Sequence, residues 1–108
     1  MGNNFIELDD SNFEEEVIEK KIPIIVDFYA GWCAPCKKLI PVLESLYEEF
    51  NGELKIGKVN IEETSLASKY SVFNLPSILF FDNGEVICRK TGVQSKNSIK
   101  EMLVEKIK

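Results

Sequence analysis

Residues 22–36 read IPIIVDFYAGWCAPC, and this stretch decides how the rest of the chain is interpreted. The segment 22–30 is nearly all apolar and rich in β-branched and aromatic side chains, which is typical of a strand buried on both faces of a sheet. Asp27 is the exception within this run, and the pair Cys33 and Cys36 follows it. The sequence therefore predicts a central buried strand that delivers two thiols to the start of the next element.

A long helix is predicted to follow, from about Ala34 to Phe50, because leucine and aromatic side chains recur on one of its faces. Pro41 lies inside it, so we expect a lost backbone hydrogen bond and a kink there. Other strands are predicted near residues 5–8, 54–61, 77–81 and 86–91, and other helices near residues 13–21, 64–70 and 95–107. The turn Asp82-Asn83-Gly84 is typical of a tight hairpin between the last two strands.

Strands and helices alternate along the chain before the final hairpin and helix. This order indicates an α/β fold, with a central mixed sheet of four to five strands and helices on both faces. No linker, repeat or low-complexity tract interrupts the pattern, and 108 residues suit one domain. We therefore expect a single domain over residues 1–108.

The net charge of −5 bears on the classes of partner. Nucleic-acid binding needs clustered Lys and Arg, and anionic membrane surfaces attract basic segments, so we expect neither partner. No apolar run approaches the roughly 20 residues that span a bilayer. The first residues lack the basic patch and apolar stretch of a secretory signal, which favours the cytoplasm. We also expect a monomer.

The chain contains three cysteines and no histidine. Without imidazole, catalysis through Ser-His or Cys-His pairs is excluded, and so are histidine metal ligands. An odd, small number of cysteines argues against a secreted disulfide framework. A zinc half-site at the Cys-x-x-Cys pair is an open alternative, but zinc usually takes four ligands. We therefore expect no metal.

The spacing of Cys33 and Cys36 suits thiol–disulfide exchange. At the first turn of a helix, unpaired N–H groups and the helix dipole stabilise a thiolate on Cys33. Cys36, one turn further on, can reach Cys33 and should be shielded. This asymmetry predicts that Cys33 is the nucleophile and Cys36 the resolving thiol, with two unrelated core cysteines as the other interpretation.

Asp27 is the second candidate for chemistry. A carboxylate in a buried strand is costly to ionise, so its pKa should be raised. An acid of this kind beneath the cysteine pair could take and return the proton of Cys36. The alternative is a structural aspartate that is hydrogen-bonded near the turn. Lys58, taken from the sequence alone, is simply a lysine in a strand.

The segment from Asp27 to Lys37 resembles the active-site segment of the thioredoxin family. The resemblance covers nearly the whole chain and includes Lys58, Leu75-Pro76, Asn83-Gly84 and Gly92. It implies a thioredoxin fold and a general protein disulfide reductase that donates electrons to disulfide-containing client proteins in the cytoplasm. It also implies re-reduction by thioredoxin reductase, a flavoprotein that draws on NADPH, with no cofactor bound to this chain.

The resemblance assigns further roles around the cysteines. It favours proton transfer by Asp27, with Lys58 beside it to moderate the charge. It implies a cis bond at Leu75-Pro76 that faces the cysteines and leaves the Leu75 backbone able to pair with an extended substrate. The implied substrate contacts form a flat apolar patch of Trp32, Ala34, Pro35, Leu75 and Val93.

Two residues depart from the common pattern of the family. Ala34 stands where Gly is usual, and Ala favours a helix over Gly by about 1 kcal/mol. Together with Pro35 it is expected to tune the redox potential, while Asn74 stands where the family often has Gly. The alternatives in function are an oxidant or isomerase of the same fold and a non-catalytic assembly subunit. We expect Cys88 to be a packed, unreactive thiol, and the alternative is a regulatory or dimer-forming one.

Overall fold

The computed structural model describes residues 4–107 of the chain, with side chains through Leu103. The strands are β1 (Ile6–Leu8), β2 (Ile24–Tyr29), β3 (Lys55–Asn60), β4 (Ser77–Asp82) and β5 (Glu85–Thr91). The helical elements are a π-helical turn (Glu14–Glu19), α1 (Ala34–Glu49), α2 (Leu66–Lys69) and α3 (Lys96–Ile107). The order of elements is the one that the sequence predicts.

The five strands form one mixed sheet in the order β1-β3-β2-β4-β5. β1 and β2 both pair with β3 in parallel, whereas β4 pairs antiparallel with β2 and with β5. The apolar run 22–30 supplies β2, which lies at the centre of the sheet and is buried along nearly its whole length. The prediction of an α/β fold with a central mixed sheet is confirmed.

Side chains along β2 alternate between the two faces of the sheet. Ile24, Val26 and Phe28 pack on one face with residues of the π-helical turn and α2. Ile25 packs on the other face with residues of α1 and α3. Helices therefore cover both faces, as predicted, and the same alternation places Asp27 on the face covered by α1.

The helix predicted near residues 64–70 is shorter than expected. The hydroxyl of Ser65 donates to Oδ1 of Asp10 at 2.9 Å, and the Ser65 N–H donates to the same carboxylate at 3.2 Å. Ser65 uses its hydroxyl in this bond and makes no side-chain cap to α2. The bond ties the start of α2 to the segment after β1.

Two other helical segments also differ from expectation. The predicted helix near residues 13–21 is a short π-helical turn, and the chain leaves it through Lys21, whose φ of 57° is left-handed. α1 continues through Pro41 to Glu49, although Pro41 has no N–H to donate to the carbonyl of Lys37. The proline therefore removes one bond from α1 without ending it.

The register of the sheet brings three segments to one end of the molecule. Phe28 of β2 pairs with Val59 of β3 and with Ser77 of β4. The segments after β2, after β3 and before β4 therefore meet at the same edge. The β4–β5 turn lies at the opposite edge, where Asn83 and Gly84 have φ values of 57° and 82°.

Candidate active site

The two cysteines lie at the junction between the end of β2 and the start of α1. Cys33 is the N-cap residue of α1, with an extended backbone, and its Sγ accepts a hydrogen bond from the Cys36 N–H at 3.3 Å. The Cys33 N–H donates to the carbonyl of Ala30 at 3.1 Å, which closes the turn after the strand. Cys33 and Cys36 form a disulfide whose Cα atoms are 5.4 Å apart. The sulfur of Cys33 thus sits at a helix N-terminus, as the spacing predicts.

Exposure alone does not distinguish the two cysteines, since Cys33 is 5% exposed and Cys36 is 3% exposed. They differ in the space that each one lines. Cys33 faces an open depression, the outer groove, lined by Trp32, Cys33, Ala34, Pro35, Ile61, Phe73, Asn74 and Leu75. Cys36 faces a more enclosed space of about 140 Å³, the inner cavity, lined by Asp27, Tyr29, Ala30, Gly31, Cys36, Lys37, Ile40 and Lys58.

Asp27 lies within the inner cavity beside Cys36. Its side chain is buried, and no described residue offers a hydrogen bond to Oδ1. Burial raises the pKa of the Asp27 carboxyl from 3.8 to about 7, while the charge of Lys58 acts to lower it. The cavity therefore contains a group that can gain or lose a proton near neutral pH.

Lys58 is the register partner of Asp27 across β2 and β3. It is buried, and its Nζ lies 3.6 Å from Oε1 of Glu7 and 5.2 Å from the centre of the Tyr29 ring. The Tyr29 hydroxyl donates to Oε2 of Glu7 at 3.1 Å. Burial first, and the Glu7 charge second, raise the pKa of Tyr29 to about 12, so the phenol keeps its proton.

Sequence reasoning did not single out Glu7 and Tyr29. The available signal was weak, because Glu7 is adjacent to Lys58 only through the pairing of β1 with β3. Tyr29 occupies the last position of β2, where the sequence shows only another aromatic residue of the buried run. Their contacts with Lys58 depend on the strand order and not on any local motif.

The outer groove contains most of the predicted substrate patch. Trp32 is 69% exposed, and its Nε1 donates to Oε2 of Glu62 at 2.9 Å. Ala34, Pro35 and Leu75 line the groove as predicted. Val93 is exposed but does not line the groove.

Sequence reasoning missed two groove residues, Ile61 and, more prominently, Phe73. Phe73 is 83% exposed and precedes Asn74 and Leu75, which line the same groove. The available signal was a large apolar residue next to Leu75-Pro76, outside any periodic pattern. The Leu75-Pro76 bond is cis, as the resemblance implies.

The third cysteine lies away from both spaces. Cys88 is half-buried on β5, pairs in register with Phe80, and packs against the core on the α1 and α3 side of the sheet. It lines neither the outer groove nor the inner cavity. Its low reactivity stays a prediction.

Neither a metal-binding cluster nor a membrane-spanning helix is present in the residues that the structure describes. Among the side chains that the structure describes, through Leu103, no three Cys, Asp or Glu come together in a group suited to hold a metal ion. Nor does any helix in that part of the chain have the length and apolar character needed to cross a membrane.

Comparison with known proteins identifies the family. The Thioredoxin family model matches residues 4–105. Thioredoxin of Buchnera aphidicola from Acyrthosiphon pisum is 46% identical over 106 residues, covering 97% of this chain and 98% of the relative. Thioredoxin of Rickettsia felis is 40% identical over 99% of this chain and 100% of its own length, and Thioredoxin C-2 of Corynebacterium nephridii is 37% identical with the same coverage. With its Cys33–Cys36 disulfide, the chain belongs to the thioredoxin family and is a dithiol–disulfide reductase.

Proposed function

We propose that Cys33 attacks the disulfides of client proteins, that Cys36 resolves the resulting adduct, and that Asp27 handles the proton of Cys36. The observation that carries this division is the placement of the two cysteines in different spaces. Cys33 lines the outer groove, which a client can enter, and Cys36 lines the inner cavity together with Asp27.

In the first step, the Cys33 thiolate attacks one sulfur of the client disulfide. A bond forms between Cys33 Sγ and that sulfur, the client S–S bond breaks, and the other client sulfur leaves as a thiolate that takes up a proton. The N–H of Cys36, which points at Cys33 Sγ, and the dipole of α1 favour the ionised form of Cys33.

In the second step, Cys36 gives its proton to the Asp27 carboxylate and attacks Cys33 Sγ. The Cys33–Cys36 disulfide forms, the mixed disulfide breaks, and the second client sulfur leaves as a thiolate. Two electrons have then passed from the chain to the client. A pKa near 7 suits Asp27 to accept this proton and release it again at neutral pH.

The neighbouring residues support these steps. Lys58 lies beside Asp27 and limits the cost of its charge. No hydrogen bond within the described residues engages the Leu75 backbone, which leaves it able to pair with an extended client segment next to Pro76. Ala34 and Pro35, which lie between the two cysteines, tune the redox potential of the Cys33–Cys36 pair. Trp32 contacts the client. Val93 does not line the groove, so we propose that it contacts the client only at the periphery.

The step that completes the proposed cycle is carried out by another protein. The oxidised protein is re-reduced by thioredoxin reductase, a flavoprotein that uses NADPH, so this chain binds no cofactor of its own. We place the protein in the cytoplasm as a monomer, with residues 1–108 as one thioredoxin domain. The family match supports the reductase partner, and the reducing cytoplasm is the compartment in which a dithiol donor is regenerated.

One experiment tests the proton-transfer step. The pre-reduced chain is mixed with a disulfide-bonded protein, and single-turnover oxidation is followed across pH for wild type, Asp27→Asn and the control Asp82→Asn. Asp82 ends β4 at the opposite edge of the sheet. We expect the wild-type and Asp82→Asn rates to fall as pH drops through about 7, and the Asp27→Asn rate to be lower and to lack this inflection. Identical profiles for all three proteins would remove Asp27 from the mechanism.

A further inference from the structure

Phe73 is the most exposed large apolar side chain of the described residues, at 83%. Isolated exposed apolar residues are ordinary on protein surfaces and need no function. Phe73 is different because it lines the same groove as Cys33 and as Trp32, whose side chain is also exposed. Two large aromatic side chains therefore stand in water next to the reactive sulfur.

The two rings differ in how they are held. The indole of Trp32 is oriented by its hydrogen bond to Glu62 at 2.9 Å. Phe73 has no polar atom and belongs to neither of the two main core clusters. A client side chain that packs against Phe73 would remove apolar surface from water on both molecules, which is the principal source of favourable binding energy at such sites.

The chemistry of the groove selects what can fill it. Apart from Cys33 and Asn74, the lining is apolar, and it includes no charged side chain. A negatively charged client residue placed there would lose hydration and would meet the Glu62 carboxylate that holds Trp32, so it would gain no partner. The groove also includes the attacking sulfur of Cys33, so the segment that occupies it during exchange is the one that carries the client disulfide.

We propose that Phe73 sets client selectivity, so that the outer groove prefers disulfides flanked by an aliphatic or aromatic side chain that packs against Phe73 and Trp32. This inference rests on the proposed attack by Cys33, and it adds the class of client. The exchange is unchanged: the Cys33–client S–S bond forms and the client S–S bond breaks. Phe73 affects how well the client is bound with its disulfide next to Cys33, and it does not change the reactivity of the sulfur atoms.

The test uses short synthetic peptides with one central cysteine, each joined to a second copy of itself by a disulfide so that both sulfurs are equivalent. Each position flanking the cysteine carries either Leu or Ser, one position at a time. The pre-reduced protein is mixed with each peptide, and the released peptide thiol gives a second-order rate constant. The variants are wild type, Phe73→Ser, Phe73→Leu and Val86→Ser.

Val86→Ser is the matched control, because Val86 is also an exposed apolar residue but lies beside the hairpin at the far edge of the sheet. We expect wild type and Val86→Ser to reduce the best Leu peptide about five- to tenfold faster than its Ser counterpart. Phe73→Ser should lose most of this preference, and Phe73→Leu should recover part of it.

The outcomes separate this inference from the proposed function. If wild type reduces neither peptide, attack by Cys33 on client disulfides fails, and the selectivity proposal fails with it. If wild type reduces both, with a rate ratio that Phe73→Ser leaves unchanged, only the role of Phe73 is overturned. Dimerisation in solution that Phe73→Ser abolishes would also overturn it, since a second copy of the chain would then be the occupant of the groove.

Discussion

Two spaces adjoin the Cys33–Cys36 disulfide: the outer groove, which is open and largely apolar, and the inner cavity, which is more enclosed and holds an acid and an ammonium group. The two cysteines are equally buried, yet each faces a different one of these spaces. One turn of helix between two cysteines is therefore enough to separate client access from proton handling. Neither space could serve both purposes, because access for a client admits water, and water would return Asp27 to its ordinary pKa.

The two regions also differ in what they cost the fold. Aromatic side chains left exposed in the outer groove forgo a burial gain but strain nothing. A buried carboxylate in the inner cavity is costly once it is ionised, because its charge has left water. The energetic cost of function should therefore be concentrated at Asp27.

The largest expected effect comes from replacing each cysteine in turn. Cys33→Ser and Cys36→Ser should both abolish turnover of a disulfide-bonded protein, because each removes one half of the disulfide. Only Cys36→Ser should accumulate a covalent adduct with the client, visible by mass spectrometry and on a non-reducing gel, because Cys33 attacks and nothing resolves the product. An adduct that forms with Cys33→Ser instead would reverse the assignment of the two spaces.

The next effect is on stability and tests the cost of the inner cavity. The pKa of Asp27 is about 7 in the folded chain against 3.8 ordinarily, so below about pH 3 both states hold the proton and no penalty exists. As pH rises to about 7, the Asp27 carboxyl ionises first in the unfolded chain, and the free energy of unfolding falls by up to about 4 kcal/mol. Asp27→Asn lacks this titration. The free energy of unfolding of Asp27→Asn minus that of wild type should therefore increase by that amount between about pH 4 and 7. Denaturant unfolding of the oxidised proteins measures this difference. A difference that is constant with pH would contradict the raised pKa.

A smaller effect is expected at Lys58, whose charge lowers the pKa of Asp27. Lys58→Met should move the inflection in the single-turnover pH profile upward by about one unit. Lys55→Met is the matched control, since Lys55 lies at the other end of β3, opposite Ile24, and should leave the inflection where it is. An unmoved or lowered inflection in Lys58→Met would show that Lys58 does not act on the acid.

The smallest effect is expected at Cys88, which lines neither space. Cys88→Ser should leave the rate of client reduction within about twofold of wild type and cost about 1 kcal/mol or less of stability, because the thiol is only half-buried. The rate and the unfolding midpoint check this directly. A large loss of activity would mean that a third thiol participates in the chemistry.

The sequence predicted those parts of the site that depend on local pattern. The apolar run of β2, the interruption by Asp27 and the helix that opens at Cys33 are all contained in one continuous stretch. The contacts of Glu7 with Lys58 and Tyr29 were not predictable in this way, because they require the pairing of β1 with β3.

Three further features were not predictable from local pattern, since they depend on segments that are distant in sequence. α2 begins next to a hydrogen bond between Ser65 and Asp10, and a helix pattern carries no information about such a bond. Phe73 stands in a loop with no periodicity, so only its place beside Cys33 reveals that it belongs to the groove. Val93 was expected in the groove on the basis of resemblance, and it lies outside the lining.

The hydrogen bond from Trp32 to Glu62 has a consequence for how the chain can be observed. Trp32 is the only tryptophan of the sequence, and it adjoins one of the two sulfurs. Its intrinsic fluorescence therefore arises from a single indole at the site of electron exchange, held by one carboxylate in a defined orientation. Oxidation, reduction and client docking all change the surroundings of that indole, so the protein carries its own optical reporter and needs no added dye.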